Sequence, residues 1–459
     1  MTKHIAVIGA GISGLTAAYW LQKKGYRVTV LEKNASPGGT MESVFENGFL
    51  FDRGPNTGLD TTPLIRQLVE DVGLGKEMVY ASKISDKRYI LREGKLHPLP
   101  MNPAAFIKTS LFSWKAKLRL LCEPFIPKSR DGYYQSMADF VIRRLGREFL
   151  DYAIDPFVSG VSAGDPNKLS VKSAFPRLYR LEEVYGGLIR GAVLGARERK
   201  RNPEQSKQSA QMFSFLRGMQ SLPAAIAQTL GDAVRLNADV HSIQHTGDEF
   251  IVGYSVKGAA ETFQADAVVL TIPSYAASEI IRPIDRQCSE HLDAVYYPPV
   301  ALLYAVYKKQ DIVQPLDGFG FLIPSKEQRQ FLGAIWNSVI FPNRTGGDYA
   351  AFTLFIGGAR APELCELPQQ NLETLILPQF QKIMRISAPP VYTAFRLWER
   401  AIPQYNIGYI EHERYFEQFE NTHPGLFLGG NYRGGIAVGD CIKNADAICR
   451  RVEEYLRTV

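Results

Sequence analysis

The chain has 459 residues, 45% of them hydrophobic and 22% charged, a composition that excludes a disordered protein and suits about two to four globular domains. Its net charge of +6 is dispersed instead of gathered into a stripe, which argues against nucleic acid and leaves anionic small molecules or acidic lipid surfaces as the partners its field would draw. Five cysteines, Cys122, Cys288, Cys365, Cys441 and Cys449, form no C-x-x-C pair, so neither a disulfide framework nor a zinc site is signalled and a reducing, cytoplasmic compartment is expected.

Met1 to His4 run straight into an apolar segment with no export or import signal. Apolar runs such as Val300 to Tyr307 fall far short of the ~18 residues needed to cross a bilayer, so any membrane contact is expected to be peripheral. Ile5 to Ile8 predict a buried strand, Leu15 to Lys24 a helix ended by Gly25, and Arg27 to Leu31 a second strand. Between strand and helix lies Gly9-Ala10-Gly11-Ile12-Ser13-Gly14. In that context Gly9 permits the tight turn, Gly11 admits a pyrophosphate, Gly14 lets helix and strand pack closely, and the helix start offers N–H groups to phosphate. Glu32 then closes the second strand, where a carboxylate accepts hydrogen bonds from a ribose 2′-OH; in isolation it would read as a surface glutamate. Lys33 beside it is carried as a peripheral cofactor contact, with its side chain expected in solvent.

Pro37-Gly38-Gly39-Thr40 follows, then a strand pair over Glu42 to Phe45 and Phe49 to Asp52, leading into Arg53-Gly54-Pro55-Asn56-Thr57. Glycines here would let the backbone run against the ribityl chain of a flavin, which separates FAD from NAD. From Pro98 to Arg201 the pattern turns helical, with stretches Leu111 to Leu121 and Met137 to Ala153. The charged run Arg197 to Arg201 with Asn202-Pro203 reads as its exit loop. Ala238 to His245, Phe250 to Val256, Glu261 to Gln264 and Ala267 to Thr271 predict a meander ending in a buried strand. A β-rich section from Val300 to Gly357, a helix over Leu372 to Ile386 and a last helix from Asp440 to Leu456 complete the chain.

The expected fold class is α/β with mixed α+β character. A discontinuous FAD-binding domain of the two-dinucleotide-binding type (1–84, 212–296, 387–459) would carry a β-rich substrate domain (85–97, 297–386) and an inserted mainly helical domain (98–211).

The Gly-Gly and Gly-Pro turns resemble the flavin-dependent amine oxidase superfamily. Asp155-Pro156-Phe157-Val158-Ser159-Gly160-Val161-Ser162-Ala163-Gly164-Asp165-Pro166, Ala401-Ile402-Pro403-Gln404-Tyr405 and Gly435-Ile436-Ala437-Val438-Gly439-Asp440-Cys441-Ile442 are similar to the oxygen-dependent protoporphyrinogen oxidase family. The resemblance implies non-covalent FAD contacted by the segments above, by Val240 at the adenine, by Trp398 near the flavin, and by Gly435, Ile436, Ala437 and Val438. It also departs from the superfamily, with Thr40 and Met41 where many members carry a basic residue. By spacing alone Val240 would be a core valine.

The resemblance further implies three two-electron hydride transfers from protoporphyrinogen IX to the flavin, with O2 reduced to H2O2, in heme and porphyrin biosynthesis. Coproporphyrinogen III, a tetrapyrrole with two more propionates, is the alternative substrate; amine oxidation or a non-enzymatic flavoprotein role are more distant ones. No catalytic acid, base or metal is expected. Arg88 matches the family position for a propionate, which guanidinium suits bidentately; the plain alternative is an arginine on a solvated strand, with Lys87 or Arg92 serving instead. His97 is expected to be structural. Ser110 to Phe125 place Leu111, Trp114, Leu118, Leu121 and Phe125 on one helical face, either packed on the core of their own domain or docked on the inner face of the cell membrane.

Overall fold

The computed structural model describes residues 2–195, 210–247 and 249–458, so the expected exit loop at 197–203 lies outside the described residues. The N-terminal strand His4–Ile8 is the centre of a five-stranded parallel sheet. Its order runs Val234–Leu236, Arg27–Glu32, His4–Ile8, Ala267–Leu270, Leu426–Leu428. These strands are apolar almost without alternation because both faces are covered, as parallel sheets require. Ile5, Val7, Val30 and Val269 face the helices Ile12–Lys23, Ser221–Leu230 and Val438–Leu456. Ala6, Ile8, Val268 and Leu428 face the antiparallel meander Ala238–Thr246, Glu249–Val256, Ala259–Ala265 and the helix Tyr409–Thr422.

A seven-stranded sheet forms the second layer. Its order is Tyr392–Trp398, Val300–Lys308, Tyr349–Gly357, Gly333–Ile335, Gly320–Leu322, Tyr89–Arg92, Lys95–Pro98. One face, with Leu303, Phe321 and Leu354, is buried under the helix Gln369–Met384. The opposite face, with Val300, Leu302 and Tyr304, turns toward Phe51, which lies in a two-stranded hairpin of Ser43–Glu46 and Phe49–Asp52.

Residues 99–195 are mainly helical. The expected helix over Met137 to Ala153 is instead broken: Met137–Arg144 stops where Gly146 adopts φ +96° and its N–H reaches back to Val141 and Ile142, a left-handed exit that favours glycine. The chain restarts at Arg147 and runs through a π-helical turn, Leu150–Ile154, into Asp155–Ser162, the irregular turn falling just before Pro156, which has no N–H to donate. A fully buried ionic knot holds these helices. Arg144 bonds Glu123 at 2.9 Å and Glu182 at 2.6 Å, while Glu123 accepts the N–H groups of Leu188 and Ile189.

A second buried ion pair fastens the hairpin of Ser43–Glu46 and Phe49–Asp52 to the turn before the Tyr349–Gly357 strand of the large sheet. Arg344 donates to Asp52 at 3.0 Å and to the Ser214 hydroxyl at 2.6 Å, and Asp52 also accepts from Ser43 and from the Met219 N–H. Burial pushes the Asp52 carboxyl above its usual range against the pull of Arg344. Removing one partner of such a pair strands the other, which costs about 3–5 kcal/mol, whereas an apolar pair of similar volume is close to neutral. Arg344→Ala is therefore expected to lower the denaturation midpoint strongly, and Arg344→Met with Asp52→Leu to recover much of it; thermal melts of both variants check this.

Candidate active site

Gly9 sits at φ +100°, and its N–H bonds Leu31 while the Thr271 hydroxyl donates to the Ile8 and Gly9 carbonyls. Thr271, which the motif did not single out, therefore pins the turn. At Gly14 a Cβ would lie 2.1 Å from the Gly9 carbonyl and 2.4 Å from Thr271 Oγ1, so this glycine serves helix-to-strand packing. At Gly11 a Cβ would meet no atom within 4 Å; its bareness serves something other than the protein's own packing. Gly11 also caps the helix Ile12–Lys23 without a side-chain bond, and Ser13 is buried in the first turn. That leaves oriented N–H groups for an anion.

Glu32 is buried, with Oε2 accepting the Ala10 N–H at 2.8 Å and Oε1 accepting from Asn34. Its carboxylate is thus held against the glycine turn. Lys33 is exposed. Val240 is half-buried opposite Tyr254, just before a register shift in the meander.

The second glycine pair lies directly alongside the first turn. Gly38 donates to the Ala10 carbonyl at 2.8 Å, and Gly39 has φ +59° with a Cβ direction that meets Gly11 Cα at 3.5 Å. Gly54 admits the Thr40 carbonyl where a Cβ would stand 1.8 Å away. Pro55 and Thr57 are half-buried in this turn. Asn56 points elsewhere: its amide bonds Asn337 at 2.9 Å and Gly54 at 3.2 Å, and Asn337 is bonded in turn by Thr353. The Asn56 side chain thus joins the two sheets.

Trp398 donates from Nε1 to the Arg53 carbonyl at 2.6 Å, which brings it beside the Gly-Pro turn. Gly435, at φ +129°, donates to the Tyr405 hydroxyl at 2.9 Å, and that hydroxyl donates to the Asn431 carbonyl. Ile436 and Ala437 are half-buried and Val438 begins the last helix. Tyr405, from the Pro-Gln-Tyr motif, shapes this turn.

The Asp155–Ser162 helix is clamped onto the large sheet. Asp155 accepts from the Ser325 N–H and hydroxyl, Gly160 leaves room for Leu322, and Gln404 donates to the Ser162 carbonyl at 2.8 Å. Arg88 immediately precedes the Tyr89–Arg92 strand of the large sheet, half-buried, 5.8 Å from the Phe319 ring. Lys87 and Arg92 are engaged with Asp317 and Glu148. His97 bonds Ser110 at 3.0 Å on the outermost strand. No cluster of three or more metal-ligating side chains occurs among the described residues.

A family model described as flavin containing amine oxidoreductase matches residues 12–452. The chain belongs to that family. Within it, the chain is 34% identical to protoporphyrinogen oxidase 2 of Arabidopsis thaliana over 99% of its own length and 95% of the relative's, which places it on the protoporphyrinogen oxidase branch. It is 26% identical to coproporphyrinogen III oxidase of Bacillus subtilis, covering 99% and 98%. A solved structure named for protoporphyrinogen oxidase, from Exiguobacterium sp. 255-15, superposes with a TM-score of 0.82 at 22% identity, covering 99% of each chain. Family members are flavin-dependent oxidoreductases, and FAD is the cofactor of this one.

The two glycines predict opposite failures. Gly14→Ala is expected to destabilise the protein itself, because its new methyl overlaps backbone. Gly11→Ala is expected to leave the apoprotein melting temperature within about 2 °C, since the methyl meets no protein atom, while FAD affinity falls at least roughly tenfold. Melting of apoprotein together with FAD titration separates the two.

Proposed function

We propose that the chain oxidises protoporphyrinogen IX to protoporphyrin IX, with dioxygen as the final electron acceptor. The observation that carries this proposal is the face of the large sheet turned toward the glycine turns. Leu322, Ile335 and Phe355 are half-buried there around Gly333, and Arg88 stands at one end, outside the ion pairs that its neighbours Lys87 and Arg92 make. An apolar floor with an unpaired guanidinium at its rim suits a macrocycle bearing carboxylates. The names of the relatives support the same substrate class.

In this proposal Gly9 to Gly14, Glu32, Lys33, Gly38 to Thr40, Gly54 to Thr57, Val240, Trp398 and Gly435 to Val438 hold the cofactor. When bound, FAD supplies the two-electron acceptor. The remaining work belongs to the chain: Arg88 orients a propionate, the floor excludes water from the macrocycle, and the Asp155–Ser162 helix closes one side. The start of the last helix places its positive end toward developing negative charge. We also assign cofactor, substrate and helical domains along the expected boundaries, except that Tyr392–Trp398 goes to the substrate domain because it forms an edge of the large sheet. Coproporphyrinogen III is the second substrate considered, favoured by the near full-length match to the Bacillus subtilis relative.

Peripheral membrane association is part of the proposal. Leu111 is buried, but Trp114, Leu118, Leu121 and Phe125 project outward, the last 84% exposed, so that stripe is not packed on the core of its own helices. Lys115 and Lys128 are exposed beside it, a pairing that suits an acidic bilayer surface. No helix among the described residues is long and apolar enough to cross a membrane.

Porphyrin fluorescence on aerobic incubation with protoporphyrinogen tests the activity, and its absence would refute the proposal. Arg88→Ala should raise KM roughly tenfold or more with a smaller effect on kcat, because a charge-assisted hydrogen bond contributes about 1.5–3 kcal/mol. Leu118→Asp with Phe125→Asp should abolish co-sedimentation with anionic vesicles and leave turnover in solution intact; unchanged sedimentation would remove the membrane assignment.

A further inference from the structure

A second cationic group stands on the same face of the large sheet, at its opposite edge from Arg88. The register shows it directly. Ala394 pairs Tyr304, Tyr304 pairs Thr353, Thr353 pairs Ile335, and Ile335 pairs Gly320. Arg88 immediately precedes Tyr89, which pairs Phe321, so Arg88 stands beside Gly320 in this row. Arg396 is two residues beyond Ala394, and its own row runs through Leu302, Phe355, Gly333 and Leu322. Alternation along each strand puts both arginines and the apolar floor on one face. Five strand spacings separate them, roughly 24 Å along a flat ladder, a gap for the macrocycle, its propionates and the two arginine side chains to span together.

The surroundings of Arg396 leave it available. Its guanidinium stacks on the Trp398 ring at 4.2 Å and approaches Glu42 at only 3.5 Å, looser than the 2.7–2.9 Å range of a well-formed charged pair. Glu42 is already engaged at 3.0 Å by Arg53. Two guanidinium groups thus share one carboxylate, leaving a net positive charge. The Nε atoms of both Arg53 and Arg396 are buried without a hydrogen-bond partner.

We propose that Arg396, supported by Arg53, is a second carboxylate-binding subsite that lets the enzyme also take porphyrinogens with carboxylates on both edges of the macrocycle. Protoporphyrinogen IX carries its two propionates on neighbouring rings, so one edge is apolar. Coproporphyrinogen III carries one propionate on each of its four rings, so a molecule anchored at Arg88 also presents carboxylate toward Arg396. Glu42 tempers the subsite by neutralising half of its charge. This inference rests on the porphyrinogen proposal above.

The test is fluorescence titration of the FAD-loaded protein with coproporphyrin III and protoporphyrin IX, with kcat/KM for the two porphyrinogens alongside. Arg396→Gln should weaken coproporphyrin binding roughly tenfold or more, as loss of a charge-assisted contact implies, and change protoporphyrin binding less than about threefold. Glu42→Gln should act in the opposite sense and tighten coproporphyrin selectively. Equal effects of Arg396→Gln on both porphyrins, or none on either, would overturn the subsite. Should that variant fail to fold, Glu42→Gln decides alone: selective tightening supports the subsite and an unchanged ratio overturns it. A wild-type protein that binds protoporphyrin but not coproporphyrin removes this inference and leaves the proposed function standing; one that binds neither removes the proposed function.

Discussion

The candidate active site depends on one constraint: the open face of the large sheet must be held close above the glycine turns. Apolar packing of Phe51 on Val300, Leu302 and Tyr304 draws them together but, being non-directional, does not fix the spacing. The Asp52–Arg344 pair does, by tying the strand that precedes the Gly-Pro turn to the segment that precedes the Tyr349–Gly357 strand. Asn56 and Asn337 add a buried amide contact a few residues on. Buried polar contacts contribute little net stability but penalise misplacement heavily. Such contacts specify the distance between cofactor cradle and substrate floor better than apolar packing would.

The same logic explains why small residues recur where the layers touch. Gly38 lies under Pro223 and the Met41 carbonyl, Gly54 under the Thr40 carbonyl, Gly160 under Leu322, and Gly164 beside Gln404. Each permits an approach that a methyl group would block. The first two hold the second glycine pair and the Gly-Pro turn against neighbouring backbone, Gly160 seats the Asp155–Ser162 helix on the large sheet, and Gly164 makes room for Gln404 beyond its end. The Pro-Gln-Tyr motif then links that helix, through Gln404, to the Gly435 turn, through Tyr405.

Much of this was legible in the sequence. The strand-turn-helix around Gly9 to Gly14 and the acidic end of the second strand are local signals, since steric demand acts on adjacent residues. The βαβ unit, the meander and the last helix follow from periodicity for the same reason. Gly146 was a missed local signal, because the apolar pattern on either side of it continues as though one helix ran through. Arg396 was not legible at all. Alternation reveals that it shares a face with Ala394 and Trp398, but only the pairing of six strands reveals that this face also carries Arg88. The Asn56 side chain was expected at the cofactor, and only its distant partner Asn337 shows that it bridges the sheets. The stripe from Trp114 to Phe125 left two environments open, since an amphipathic pattern alone does not say what covers the apolar side.

The central claim is that a porphyrinogen bound on the apolar floor delivers its electrons to the bound flavin. Anaerobic mixing of the FAD-loaded protein with reduced porphyrinogen, followed at the flavin's visible absorption, tests it most directly. The account predicts bleaching of the flavin by one two-electron transfer, recovery of the oxidised spectrum on admitting air, and porphyrin absorbance that grows in only as aerobic turnover completes three such transfers per macrocycle. A flavin that stays oxidised in the presence of excess protoporphyrinogen and excess coproporphyrinogen would contradict it.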